Sequence, residues 1–111
     1  MTDSTMIQNK WLICSLILGL CEGIEKNVVS FDTAGKLLFW PFSMKTLEEK
    51  SYDQDLINLL HQASELEDVF EIANDGFQEA VSKLKKDTFE YMNHLDPNFI
   101  TEKRWLNSVI S

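Results

Sequence analysis

Two pairs of side chains have the types and spacing for metal chemistry. His61 stands four residues before Glu65, and Glu90 four residues before His94. Four residues is about one helical turn, so on helices each pair sets an imidazole beside a carboxylate. Two such helices face to face would offer ligands of the kind zinc or iron accepts. The di-metal carboxylate bundles instead use Glu-x-x-His, with further glutamates from two other helices. With the apolar stripe around these residues taken as the inward direction, His61, Glu65 and Asp68 fall on the opposite side, at about 100° per residue. A bundle metal site projects inward. The competing reading is two solvated helix faces carrying i, i+4 pairs. No cofactor is expected; a metal site on His61, Glu65, Glu90 and His94, or a small regulatory protein that dimerises through exposed aromatics, is kept as the alternative.

Catalytic signatures are absent. The sequence has no His-x-x-x-His, no glycine-rich phosphate loop and no Gly-x-Ser-x-Gly elbow. Cys14 and Cys21 are its two cysteines, seven residues apart in the apolar run WLICSLILGLC. That spacing puts both on one helix face, about 10 Å apart, too far for a disulfide. Buried free thiols are expected, inert as nucleophiles and suited to a reducing compartment. The chain reads as a binding protein rather than an enzyme.

Charge is the strongest signal. The net charge is −8, and residues 46–79 hold ten acids against Lys50 alone, whereas residues 1–45 carry four acids and four lysines. A field of this sign repels phosphate backbones and anionic lipid. Nucleic-acid and membrane-surface partners are therefore disfavoured, and a basic protein partner is favoured. The plainer reading is a solvated acidic face that keeps the chain soluble.

Within the acidic segment, Glu67 shares a helix face with Leu60, Ala63 and Phe70. A carboxylate at the edge of an apolar stripe is a rim residue reaching water, or an anchor for an incoming arginine or lysine. Trp40-Pro41-Phe42, with Tyr52 nearby, concentrates aromatic surface of the kind found in cores and at interface centres. Glu65, Glu67, Asp68, Glu71, Asp75 and Trp40 are the candidate partner-binding residues. Lys83, Lys85 and Lys86 read as a small solvated basic spot.

These residues are positioned by helices. Apolar side chains recur at helical spacing over 5–23, 31–39, 44–50, 54–73, 77–94 and 98–109. Ser30, Ser43, Asp53 and Asp96 are expected to cap helix starts, and Pro41 to end the second helix by biasing Trp40 away from helical geometry. Asn27 marks the first turn, and Asn74-Asp75-Gly76 another. Gly19 and Gly23 would admit a close neighbouring helix, or Gly23 would end the first. Residues 11–21 are too few to cross a membrane, and read as a core helix rather than a secretion signal. The expected fold is all-α: one domain over 1–111, a compact bundle of five or six antiparallel helices.

Three stretches carry a resemblance. Leu18-Gly19-Leu20, the run from Ser30 through Leu37-Leu38-Phe39, and Ser64-Glu65-Leu66-Glu67-Asp68 resemble a family of small bacterial proteins with no established activity. The resemblance covers most of residues 12–92. It implies a bacterial, cytoplasmic, helical protein and carries over no functional residue. At class level, size and acidity are similar to the immunity proteins of bacterial toxin systems, which bind a basic nuclease domain and block it. The function so expected is that of an acidic inhibitor occluding the cleft of a basic toxin domain.

Overall fold

No charged residue stands between Lys10 and Glu22, so this stretch forms a helix that neighbours can cover on most sides. The computed structural model describes residues 4–98 and places helix α1 at Ser4–Glu25. Cys14, Ile17, Leu20, Cys21 and Ile24 make its buried face. Gly23 lies inside the helix, not at its end. A Cβ there would collide with a methyl of Val29, so glycine lets the returning chain close on the helix. Asn27 takes the turn with φ 59°, and the amides of Val28 and Asn27 bond back to the carbonyls of Gly23 and Ile24. These are the paired bonds that satisfy a helix C-terminus. A Cβ on Gly19 would meet nothing within 4 Å, so no described helix packs closely on it.

Ser30 caps α2 (Phe31–Ala34) by accepting from the Thr33 amide at 3.0 Å. The expected helix over 31–39 is continuous but changes pitch: Gly35–Phe39 is a π-helical turn. Trp40 is extended, as a residue before proline should be, and α3 (Pro41–Glu49) begins on Pro41. Proline at the first helical position loses no hydrogen bond, because that amide has no partner within the helix. The helix thus starts ahead of Ser43, which is not its cap. Ser51, with φ 63°, ends it through bonds like those at Asn27.

Asp53 caps α4 (Gln54–Ser64), as expected. The single helix expected over 54–73 is broken at Glu65, and α5 (Leu66–Ile72) starts afresh. A 3-10 turn, Asn74–Gly76, leads into α6 (Phe77–Asn93). Leu56, Leu59, Leu60, Ala63 and Leu66 are buried, with Phe77, Val81, Leu84 and Thr88 from α6. The Thr88 hydroxyl donates to the Leu84 carbonyl at 2.7 Å, so this buried polar group is satisfied.

Among the described residues the fold is all-helical, without strands. Four helices of nine residues or more, α1, α3, α4 and α6, carry it, rather than the five or six expected. The helix expected over 98–109 lies outside the described residues. Cross-helix bonds fix the directions. Trp11 donates to the Asp96 carbonyl, and Lys85 bonds Glu22 and Glu25. Gln62 bonds Asp87, and Tyr91 bonds Asp53. So α1 and α4 both run antiparallel to α6, and therefore parallel to one another. No helix of the described residues is long and apolar enough to cross a membrane.

Candidate functional site

The break at Glu65 gives the acidic segment its shape. Leu66 is buried and draws the start of α5 onto the core, while the rest of this short helix is largely exposed. Phe70, which the sequence stripe assigns to the core, is 41% exposed. Its ring closes a triad with Phe31 and Phe77, at centroid distances of 5.5 and 5.2 Å, and Phe31 and Phe77 lie 5.9 Å apart. Tilted and edge-on rings at such distances attract beyond their area burial. The triad holds α5 to α2 and α6 and leaves one side of Phe70 to solvent; Ile72, at the end of the same helix, is 85% exposed.

The candidate acids on α5 are solvent-facing. At about 100° per residue, Glu67, Glu71 and Asp68 lie within one third of the helix circumference, and exposed Asp75 follows in the 3-10 turn. Among the described residues none of these four pairs with a lysine or histidine. Glu65 is different: one oxygen meets His61 Nε2 at 2.6 Å, which makes it part of an exposed i, i+4 pair on the water side.

Trp40 and Glu67 come together, though 27 residues apart. Both line a slot of about 220 Å³ with Phe31, Asp32, Gly35 and Phe39. A Cβ on Gly35 would lie 2.7 Å from both Cδ1 and Nε1 of Trp40. Glycine is what lets the pyrrole edge of the indole rest on the π-helical turn. Trp40 is 51% exposed, so it is a surface aromatic and not a core one. Sequence reasoning missed Phe31, Asp32 and Gly35. Their only linear signal is a glycine one helical turn and a residue ahead of a tryptophan.

The acidic segment is not one continuous surface. Asp53 and Asp55 line a separate cleft of about 500 Å³ between α4 and α6, with Asp87, Glu90, Tyr91 and His94. There Asp53 is a structural hub. It receives Lys10 Nζ at 2.9 Å, the Tyr91 hydroxyl at 2.9 Å and the Leu56 amide at 3.2 Å. Partial burial works to raise its pKa, but these donors outweigh it and hold the carboxyl below the usual range. Burial, then the Asp53 hydrogen bond, push the Tyr91 phenol up.

The alternative metal site is not assembled. Glu90 and His94 line the α4–α6 cleft, whereas His61 pairs with Glu65 outside it. Among the described residues no group of three or more His, Cys, Asp or Glu is arranged to hold a metal. Cys14 and Cys21 are free and fully buried, and burial pushes both thiols up to about 12. The expected basic spot is not wholly solvated. Lys85 reaches across to Glu25 and Glu22, and Lys83 pairs with Asp87 at 2.6 Å. The hydrogen bond to Glu25 comes first among the causes that raise the Lys85 pKa.

No curated protein and no solved structure matches the chain. A family model described as "Protein of unknown function (DUF3969)" matches residues 4–107, almost the whole length. The chain belongs to that family.

Proposed function

We propose that this protein is an acidic protein-binding module that docks a cationic protein through the exposed side of α5 and the neighbouring Trp40. An immunity-type inhibitor, covering the phosphate-binding cleft of a basic nuclease toxin, is the activity for which such a face is suited. The reading rests on one coincidence. Glu67, Asp68, Glu71 and Asp75 have no cationic partner among the described residues, and Glu67 shares a slot with the half-exposed Trp40. Interfaces combine an aromatic centre with a charged rim in this way. Uncompensated charge of one sign accelerates encounter with a surface of the opposite sign.

The test is capture of partners by the wild type and by Glu67→Gln/Asp68→Asn/Glu71→Gln/Asp75→Asn. The reading expects a basic protein recovered only by the wild type. Its association rate should fall at least about ten-fold between low and physiological salt. Recovery of the same protein by both baits, or partners that are acidic, would overturn it. These side chains are exposed, so a melting curve within a few degrees of the wild type is the expected fold control.

A further inference from the structure

The slot between Trp40 and Glu67 has a chemistry more specific than the acidic face around it. We infer that it receives a single arginine side chain of the partner protein. This rests on the docking reading above. With a volume of about 220 Å³ the slot has room for one long side chain and not for a helix. Phe31, Phe39 and Gly35 give it apolar walls, on which a methylene stem can lie with its charged head turned to the rim. Trp40 forms one side, and tryptophan is the aromatic that attracts cations best. Glu67 supplies the carboxylate, and among the described residues no cation pairs with it.

Asp32 also lines the slot, but Lys36 holds its Oδ2 at 2.9 Å. The slot therefore keeps one unneutralised carboxylate and calls for one positive charge. Arginine fits better than lysine, because its planar guanidinium stacks on an indole and meets a carboxylate through two parallel hydrogen bonds. Lysine is a point charge with a tighter hydration shell. Gly35 keeps the indole in place, since a side chain there would collide with the ring edge.

The experiment is a titration of the full chain, labelled with nitrogen-15, with acetyl-Gly-Arg-Gly-amide. The lysine and citrulline versions of the same peptide are titrated in parallel. Glu67→Gln and Trp40→Leu are the test variants. The Trp40 variant also identifies the Trp40 indole signal among those of Trp11 and Trp105. The inference expects saturable shifts of the Trp40 indole N–H and of the Ala63–Glu67 amides, in the millimolar range. The lysine peptide should bind about three-fold more weakly or worse, and Glu67→Gln should weaken the arginine peptide about three- to ten-fold. The citrulline peptide should not saturate.

A silent Trp40, an equal response to citrulline, or unchanged affinity in Glu67→Gln would each overturn the inference. Shifts confined to Asp68, Glu71 and Asp75, and equal for arginine and lysine peptides, would overturn the slot while leaving the acidic docking face standing. Arginine-selective shifts at Trp40 would uphold the slot even if the neutralised bait still captured the partner.

Discussion

Asp53 ties three elements together, and its removal is the most informative perturbation of the fold. Its Oδ2 caps α4, worth about 1 kcal/mol, and its Oδ1 accepts from Lys10 and Tyr91. A hydrogen bond to a charged group contributes about 1.5 kcal/mol or more when shielded. This carboxylate is 38% exposed, so water screens part of that gain. Asp53→Ala should therefore cost about 2–3 kcal/mol. With a urea dependence of about 1.5 kcal/mol per molar, the unfolding midpoint should drop by about 1.3–2 M, read by circular dichroism. Asp53→Asn keeps a cap acceptor and should lose about half as much. Asp55→Ala removes an exposed carboxylate two residues on, and should lose no more than about 0.5 kcal/mol.

The pH dependence carries a sign. The folded-state pKa of Asp53 is depressed, so its stabilisation is present above the unfolded value, near 4. It is lost as pH falls through the folded value. The gap between wild type and Asp53→Asn should therefore be full at pH 7 and close below about pH 4. Equal losses for Asp53→Ala and Asp55→Ala would refute the reasoning, and so would a gap that is the same at pH 7 and pH 3.

Two further outcomes follow from packing. Leu60, 1% exposed, should cost about 2–5 kcal/mol on substitution by alanine, whereas half-exposed Phe70 should cost about 1–2. Chemical denaturation of the two variants would expose an error if the order reversed. Cys14 and Cys21, with thiols raised to about 12 by burial, contribute stability that is complete below the unfolded value, near 8.5. It is lost as pH rises toward 12, at up to about 1.4 kcal/mol per pH unit for each thiol. Urea curves from pH 8 to 11 should show this decline, less steep in Cys14→Ala, and an aromatic disulfide reagent at pH 8 should label the native thiols only as fast as the fold opens. Rapid labelling at pH 8 would contradict their burial.

Much of the helical plan is legible in linear order because its causes are local. Ser30 and Asp53 have side-chain oxygens that satisfy amides three residues on. Pro41 ends the helical stretch before it by holding Trp40 extended, and Asn27 tolerates the left-handed turn. The spacing of Leu56, Leu59, Leu60 and Ala63 shows which side of α4 is apolar. A spacing of seven from Cys14 to Cys21 places both thiols on one buried face with no bond between them. His61 and Glu65 are paired on the water side, as their angle from the stripe requires.

What remained was decided by neighbours distant in sequence. Neither glycine nor proline marks the break at Glu65. It coincides with a buried Leu66 and with a Phe70 packed against Phe31 and Phe77. The same break turns Glu67 toward Trp40 and leaves Asp53 and Asp55 facing α6, so that one run of acids along the chain becomes two sites in space. Composition determined the surplus of negative charge, and the order of apolar residues determined the all-helical class, since these are sums and periodicities along one chain. Which carboxylates keep their charge unneutralised, and which aromatic stands beside them, is a matter of distance between helices. Only the packing of α2, α5 and α6 sets that distance, because a helix's own period says where its apolar face lies but not what will cover it.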